Sequence, residues 1–342
     1  MPELNPNRSD DTASLSESSA EMDARWGALV DSFDLRNERA YGIWREAKLA
    51  AFPSDSGGLV VRLGDLARPS TAERQAILER CRCANMAIYD CQAGATDEHQ
   101  LRRDLLAFAE SLGLVRLEGH RSAGEDGIVA LEVADEGSRR GYIPYSDKPL
   151  SWHTDGYYNG PGARIQAFIL HCARPAQRGG ENGILDPEIA YIRLRDQDPN
   201  LIAALMRPDA MTIPPNTEED GRVRPASVGP VFFIDPATRQ LQMRYTARKR
   251  NVIWRDDDET RAAARFLTDI LAGAEPLVFK VCLGPGQGLI CNNVLHCRSA
   301  FENDEAATNG RLIYRMRFLD RVGGKESGRL TEPAATEAEW PV

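Results

Sequence analysis

The sequence predicts a mainly β protein with flanking helices, an α+β chain whose strands close into a sandwich or barrel. From residue 128 onward the apolar segments are short, and turn residues such as Asp235-Pro236 and the glycine-rich segment 284–288 separate them. They do not alternate with helices, as the strands of a doubly wound sheet would. Two helices, at 186–207 and 256–273, would be insertions outside this β core. The predicted strands are 128–133, 165–172, 231–234, 241–245, 277–283, 289–292 and 312–319.

The part before residue 128 is predicted to hold helices and one buried strand. Ser70 and Glu73 form a capping-box pattern that begins a helix running to Cys81, and 84–89 follows as an apolar strand. A second helix is predicted to begin at the cap Thr96 and to end near Gly113, with an apolar stripe of leucines and a phenylalanine. Between these and the N-terminus, 26–52 has helical periodicity with large aromatic residues.

Residues 1–22 are rich in polar residues and almost free of large apolar ones, so they cannot offset the entropy of ordering. We expect a disordered tail there. The remainder, 23–342, is predicted as a single domain, in which 23–127 supplies the N-terminal elements and 128–320 supplies the β core. At this length the chain can bury a sizeable core.

Composition excludes several classes of partner. The net charge is −9, with 42 basic against 51 acidic residues, which argues against nucleic-acid binding through a basic face. No apolar run approaches the length of a bilayer-spanning helix, and the first residues lack the pattern of a signal peptide, so we expect a cytoplasmic protein without a membrane partner.

The seven cysteines are an odd number and imply no disulfide framework. Four of them lie in apolar, strand-like contexts, where a free thiol behaves as a small hydrophobe. A structural zinc site at Cys81, Cys83 and Cys91, with His99 further on, is left open, although the spacing departs from a tight Cys-x-x-Cys pair.

A short metal-ligand pattern carries most of the functional information. His153 and Asp155 are two residues apart, so an extended strand or its end directs both side chains to one side. His296 lies far downstream and would reach them from a distant strand. Two imidazoles and one carboxylate can occupy one face of a ferrous ion and leave three positions open. Because His-x-Asp also occurs by chance, its flanking sequence has to be considered with it.

Two flanking segments strengthen this interpretation. Residues 151–158 read SWHTDGYY and lead into 165–172 and the GGENGILD of 179–186, while 288–301 read GLICNNVLHCRSAF and precede RLIYRMRF at 311–318. Together they resemble the taurine dioxygenase superfamily of iron(II)- and 2-oxoglutarate-dependent oxygenases, over residues 140–320. The His171-Cys172 and Gly-Gly-Glu segments resemble the gamma-butyrobetaine hydroxylase branch more than taurine dioxygenase itself.

The resemblance implies a fold, a cofactor pair and a metal site. The β core would be a double-stranded β-helix, or jelly roll, within one catalytic domain. Iron(II) would be held by His153, Asp155 and His296, and 2-oxoglutarate would be the cosubstrate. The expected reaction is hydroxylation of a small polar metabolite by dioxygen, with release of succinate and carbon dioxide. Relatives commonly form dimers or higher assemblies, so a homo-oligomer is expected.

Arginines on the last strand are candidate cosubstrate ligands. Arg311 and Arg315 share one face of the strand, and an arginine fork can donate two parallel hydrogen bonds to a carboxylate. By resemblance Arg311 is the anchor for the distal carboxylate of 2-oxoglutarate. Whether Arg315 contacts the cosubstrate or the substrate stays open, since Arg317 shares the face too. Asn182 stands where the family pattern has a threonine, and its amide could still donate to a carboxylate.

The substrate pocket has two opposed interpretations. An aromatic cluster around the first ligand pair could hold a quaternary ammonium ion; it comprises Tyr145, Trp152, Tyr157 and Tyr158. Arg244 and Arg248 favour instead an anionic substrate such as a carboxylate or sulfonate, unless their basic run is a solvated strand end. The sequence leaves hydroxylation, cleavage and desaturation open.

Two other functions are compatible with the ligands. One is a jelly-roll protein that binds a metal without turnover, which would have no need of both the triad and the arginines. The other is a zinc-type metal hydrolase, which lacks an evident general base beside His153 and predicts activity without oxygen.

Overall fold

A computed structural model describes residues 32–91, 97–119, 124, 126–134, 142–217, 221, 223–236, 239–248, 250, 252–273, 275–303 and 310–324. The predicted tail at 1–22 and the predicted cap Thr96 lie outside these residues. The chain divides into two compact units, residues 1–47 and 48–342. In the first unit the Phe33 ring meets Trp44 edge-on, with ring centroids 4.9 Å apart.

The described residues form six α-helices and nineteen strands, which are numbered in chain order. The helices are α1 Glu38–Ala51, α2 Thr71–Ala84, α3 Glu98–Ser111, α4 Pro187–Gln197, α5 Pro199–Leu205 and α6 Asp258–Ala272. The first ten strands are β1 Val60–Arg62, β2 Met86–Asp90, β3 Val129–Leu131, β4 Leu150–His153, β5 Ala167–Arg174, β6 Arg178–Gly179, β7 Asn182–Leu185, β8 Met211–Ile213, β9 Asn216–Thr217 and β10 Val223–Arg224. The remaining strands are β11 Ser227–Gly229, β12 Phe232–Ile234, β13 Leu241–Met243, β14 Ile253–Trp254, β15 Phe279–Val281, β16 Gln287–Cys291, β17 Leu295–Arg298, β18 Phe301–Glu302 and β19 Leu312–Phe318.

Two sheets build the β core. The larger has six strands in the order β1-β2-β16-β5-β19-β3, and the smaller has four in the order β15-β7-β17-β4. Their inner faces meet where the ring of Phe168 on β5 packs against His296 on β17, with centroids 4.6 Å apart. Neighbours in these sheets are distant in sequence, which is how such a core brings separated residues together.

One face of the six-stranded sheet packs against helices α2 and α3. The buried cluster there combines Leu105 and Phe108 of α3 with Ile77 of α2 and with Tyr314 and Met316 of β19. Burying apolar side chains of this size contributes roughly 1.5–3 kcal/mol each. This layer leaves the opposite face of the sheet, towards the smaller sheet, free to carry polar side chains.

The local predictions before residue 128 agree with the structure in kind. Ser70 and Glu73 form the predicted capping box at the start of α2, whose end is capped by Asn85 in a left-handed conformation. Helix α3 begins one residue later than predicted, because the Asp97 side chain accepts the Gln100 amide hydrogen.

The single helix predicted at 186–207 is wrong in one respect, because it divides into α4 and α5. Asp198 ends α4 in an extended conformation and caps α5, and Pro199 occupies the first turn of α5. A proline tolerates a first helical turn but not a helix interior, so the break falls at this residue.

The smaller sheet was predicted only in part. Strand β7 was not predicted, and β4 and β17 were expected only as the strands of His153 and His296, without bounds, since these short segments mix polar residues and glycine with apolar ones. No helix among the described residues is both long and apolar enough to cross a membrane.

Candidate functional site

His153, Asp155 and His296 come together between the two sheets. His153 ends β4 and faces His296 of β17 directly across the antiparallel pair. Their ring centroids are 4.1 Å apart, and one ligand atom of each of the three side chains lies within 4.8 Å of the others. Within the described part of the chain, no other group of three or more such side chains is close enough to share a metal ion.

Backbone carbonyls fix which ring nitrogen of each histidine is free. Nδ1 of His153 lies 2.9 Å from the Ser151 carbonyl, and Nδ1 of His296 lies 3.0 Å from the Val294 carbonyl. A carbonyl oxygen can only accept, so Nδ1 carries the proton in both rings and Nε2 keeps its lone pair. Burial lowers the pKa of His153 to about 3 and also lowers the pKa of His296, so both rings are neutral near pH 7.

Asp155 supplies an ionised carboxylate. Burial opposes its ionisation, but Arg315 and Arg317, whose Nη1 atoms lie 3.9 and 3.6 Å from Oδ1, outweigh burial and lower the pKa of Asp155 below its usual range. Its Oδ2 is buried and has no hydrogen-bond partner among the described residues. A buried acceptor of this kind costs free energy unless something binds it. Two neutral imidazoles and this carboxylate therefore fit iron(II).

Asn293 holds the backbone of Asp155 in place. Its side-chain Oδ1 accepts the Asp155 amide hydrogen at 2.8 Å, and its Nδ2 donates to the carbonyls of Asp155 and Ile165 at 3.0 and 2.7 Å. It lies in the turn before β17, at a φ of 48°, which asparagine tolerates better than most residues. Asn293 thus ties the loop of Asp155 to the strand of His296. No local sequence pattern marks this role.

The last strand, β19, separates polar from apolar side chains by its alternation. Leu312, Tyr314, Met316 and Phe318 belong to the cluster under α2 and α3. Alternate residues of a strand point to opposite faces, so Arg311, Arg315 and Arg317 face the smaller sheet. All three are buried, with exposed fractions of 7%, 9% and 6%.

The three arginines differ in their partners. Arg317 contacts the carboxylates of Asp155 and Glu118. Arg315 is near Asp155 alone, and its buried Nε has no hydrogen-bond partner among the described residues. Arg311 has no carboxylate within ion-pair distance in the described part of the chain, and its guanidinium carbon lies 5.0 Å from the centre of the Phe301 ring.

Asn182, the other predicted cosubstrate contact, lies on β7 beside Arg298 of β17 and is buried. Its Nδ2 approaches the Val281 carbonyl at 3.4 Å. It lies on the same face of the smaller sheet as His296, since Arg298 is two residues beyond that histidine.

Two of the predicted aromatic residues lie close to the metal ligands. Tyr157 meets the His153 ring edge-on at 6.4 Å, and the Tyr158 hydroxyl is 3.4 Å from Nη1 of Arg317. Tyr145 is buried in a short 3-10 turn at Ile143–Tyr145.

Trp152, predicted as a substrate contact, lies apart from the metal ligands. Its ring lies 3.1 Å from the position that a Cβ on Gly183 would take. The Cys297 sulfur adjoins the same position, so the Trp152 ring and this sulfur are on one face of the sheet. Because Trp152 precedes His153 in β4, it points to the face of the smaller sheet that is turned away from the metal ligands.

Arg244, predicted as a contact for an anionic substrate, has a guanidinium that the protein itself occupies. It donates to the carbonyls of Tyr157, Met211, Gly229 and Ser227 and to the Ser227 hydroxyl, at 2.6–3.4 Å. Its exposed fraction is 3%, and burial lowers its pKa to about 10. A fully bonded guanidinium holds the loop of Tyr157 and has no donor left for a substrate. Arg248, in contrast, is exposed.

Glu118 was missed as a site residue. Glu118 pairs with Arg317, and its Oε1 accepts a hydrogen bond from Asn159 Nδ2 at 3.1 Å. Both lie beside the loop that carries Asp155, but neither belongs to a recognisable motif. The three cysteines considered for zinc form no disulfide, and burial raises the pKa of Cys81 to about 12 and that of Cys83 to about 11.

Comparisons with known proteins agree with this geometry. The family described as taurine catabolism dioxygenase TauD, TfdA family, matches residues 100–317. A uridine-5'-phosphate dioxygenase from Amycolatopsis sp. is 31% identical over 161 residues, which are 44% of this chain and 55% of that protein. The match thus spans about half the length of this relative.

Solved structures are similar at lower identity. The non-heme iron oxygenase OrfP in complex with Fe has a TM-score of 0.53 at 16% identity, covering 86% of this chain and 91% of that one. An asparagine oxygenase with Fe(II), hydroxyasparagine and succinate has a TM-score of 0.50 at 14% identity, covering 76% and 93%. These likenesses confirm the predicted double-stranded β-helix.

The family match covers more than half of the chain, and the His-Asp-His cluster lies inside the fold that these oxygenases share. The chain therefore belongs to the TauD/TfdA family of iron(II)- and 2-oxoglutarate-dependent dioxygenases.

Proposed function

We propose that this protein is an iron(II)- and 2-oxoglutarate-dependent oxygenase that oxidises a small anionic molecule. The observation that carries the proposal is the convergence of His153, Asp155 and His296 within 4.8 Å, beside buried arginines that lack full counter-ions. Iron and 2-oxoglutarate, when bound, would supply the oxidising chemistry. In the overall reaction, 2-oxoglutarate and dioxygen become succinate and carbon dioxide, and one oxygen atom enters the substrate.

The chain itself would bind, orient and exclude water. The two histidines would present Nε2 to the iron because the Ser151 and Val294 carbonyls hold Nδ1–H. Asp155 would add its carboxylate. Arg311 would hold the distal carboxylate of 2-oxoglutarate, and the low exposure of the arginines keeps water from screening these charges.

Arg311 and Arg315 would serve different molecules. A strand rises about 3.3 Å per residue, so the four residues between them correspond to about 13 Å along β19. Arg315 lies next to Asp155, whereas Arg311 lies beside Phe301. We assign Arg311 to the cosubstrate and Arg315 to an anionic group of the substrate.

The summed charge near the metal supports an anionic substrate. Asp155 and Glu118 together balance Arg315 and Arg317. Bound iron(II) adds two positive charges, which dianionic 2-oxoglutarate would balance, and buried Arg298 and Arg311 leave positive charge over. A buried site with excess positive charge favours an anionic ligand.

A quaternary ammonium substrate, which the gamma-butyrobetaine hydroxylase branch implies, is the alternative. Tyr157 and Tyr158 form part of the expected cage, with ring centroids 5.2 Å apart. However, the Tyr158 ring already lies 5.5 Å from the guanidinium carbon of Arg224, and its hydroxyl approaches Arg317. Two cations beside this ring disfavour a third. The dioxygenase relative named for uridine 5'-phosphate adds phosphate monoesters to the carboxylates and sulfonates worth testing.

The test is anaerobic reconstitution with iron(II) and 2-oxoglutarate, followed by the visible metal-to-ligand charge-transfer band. We expect a band in the wild type, its loss in Asp155→Ala, and a large increase in the 2-oxoglutarate Kd of Arg311→Gln at unchanged iron Kd. Candidate substrates would then be compared by substrate-dependent succinate release in the presence of oxygen. A metal-loaded protein without the band, or one that turns over substrate without oxygen, would favour the binding protein or the hydrolase.

We also propose that the protein is cytoplasmic and forms a homo-oligomer. Light scattering on the purified protein measures the second directly.

A further inference from the structure

A second buried arginine lies at the Arg311 end of the space between the sheets. Arg298 follows His296 by two residues on β17, so it shares the inner face of that strand. Its register partner on β7 is Asn182. Its guanidinium carbon lies 4.9 Å from the centre of the Phe301 ring, and that of Arg311 lies 5.0 Å from the same centre. Both cations therefore lie against one aromatic ring.

Neither cation is paired with a carboxylate at close range in the described part of the chain. The exposed fractions of Arg298 and Arg311 are 6% and 7%. No carboxylate there lies within ion-pair distance of either guanidinium, whereas buried Lys48 contacts both Asp186 and Glu188. A buried charge without a close partner costs several kcal/mol. Burial and repulsion by Arg311 lower the pKa of Arg298 to about 10, and the more distant Asp147 carboxylate opposes this shift only in part.

Arg298 is nevertheless held firmly. Its Nη2 donates to the carbonyls of Ser146 and Lys148 at 2.7 and 2.5 Å. Its Nε is buried and has no hydrogen-bond partner among the described residues. Carbonyl oxygens orient a guanidinium without neutralising it, so both the charge and one N–H direction remain for a ligand.

We propose that Arg298 is a second cosubstrate-binding residue, which acts with Arg311 on the distal carboxylate of 2-oxoglutarate and so makes this pocket select a dicarboxylic 2-oxo acid. The inference rests on the proposed function and adds a residue to it. The competing role for Arg298 is structural, namely that it only ties the segment 146–148 to β17.

The two roles are separated by a matched pair of ligands. 2-Oxopentanoate has the same five-carbon chain and the same metal-chelating end as 2-oxoglutarate but lacks the distal carboxylate. The ratio of the two Kd values, measured anaerobically by calorimetry on the manganese(II)-loaded protein, isolates recognition of that carboxylate. A structural defect would weaken both ligands alike and leave this ratio unchanged.

We expect Arg298→Gln to reduce the preference for 2-oxoglutarate by about ten- to hundredfold, the value of a hydrogen bond between charged groups. Arg298→Lys, which keeps the charge but not the fork, should retain part of the preference. Arg102→Gln is the control. Arg102 lies away from the metal ligands, where its Nε is 2.6 Å from Asp126 Oδ2, so this variant should leave the ratio unchanged.

An unchanged ratio in Arg298→Gln, with a lowered Tm, would overturn the inference and leave Arg298 as a backbone tie. That outcome is distinct from failure of the proposed function, which would appear in the wild type as no binding of 2-oxoglutarate to the metal-loaded protein. If Arg298→Gln is too unstable to measure, Arg298→Lys decides: a ratio equal to that of the wild type contradicts the role of the fork.

Discussion

Replacing Asn293 by glycine tests how the position of Asp155 is fixed. Glycine accepts the φ of 48°, so the backbone of the turn can stay as it is, while three hydrogen bonds to Asp155 and Ile165 are lost. At about 1 kcal/mol net for each bond, the free energy of unfolding should fall by about 2–3 kcal/mol. Loss of an outer support of a metal ligand should also raise the metal Kd by about 10–100-fold.

Asn85→Gly is the matched control. Asn85 also has a positive φ, of 56°, and a bonded amide, but its partners include Asp186 and Asn292 rather than a metal ligand. Urea unfolding and calorimetric titration with manganese(II) should show both variants destabilised and only Asn293→Gly weakened in metal binding. Equal metal affinity in the two variants would refute the argument that Asn293 positions Asp155.

Three further predictions concern stability. Lys48→Met should lower the free energy of unfolding, measured by urea unfolding, by about 3–5 kcal/mol, because it leaves the buried Asp186 carboxylate without the ammonium group 2.6 Å from its Oδ2. A loss below about 1 kcal/mol would contradict this. Gly288→Ala should destabilise strongly, since its Cβ would lie 2.1 Å from the Tyr89 ring, whereas the control Gly284→Ala has no atom nearer than 3.5 Å and should be nearly neutral in a thermal melt. Burial lowers the pKa of His171 to about 4 against 6.5 when unfolded, so its neutral form stabilises the fold fully above pH 6.5 and that contribution, about 3 kcal/mol, is lost as the pH falls towards 4. Urea unfolding at several pH values should therefore show a shallower acid loss in His171→Gln, and parallel curves would rule the assignment out.

The metal ligands could be predicted because their residue types alone indicate metal binding. A His-x-Asp pair, a distant histidine and arginines at alternate positions of one strand point to one site wherever the strands meet. The alternation of β19, with Leu312 on one face and Arg311 on the other, could likewise be inferred from a period of two.

The supports of the site could not be inferred in this way. Asn293 and Glu118 act through contacts whose partners are 138 and about 200 residues away in sequence, so no local pattern marks them. Arg244 was predicted as a substrate contact for the same reason. The sequence shows an arginine with five hydrogen-bond donors, and only the fold shows that carbonyl groups occupy them. Trp152 was grouped with the site because it directly precedes His153, although neighbours on a strand point to opposite faces.

The alternation of β19 also limits how the gene can change. Insertion or deletion of a single codon between Arg311 and Phe318 would exchange the two faces for every later residue, sending guanidinium groups under the helices and aromatic rings towards the iron ligands. Descendants of this chain should therefore keep the length of β19 constant.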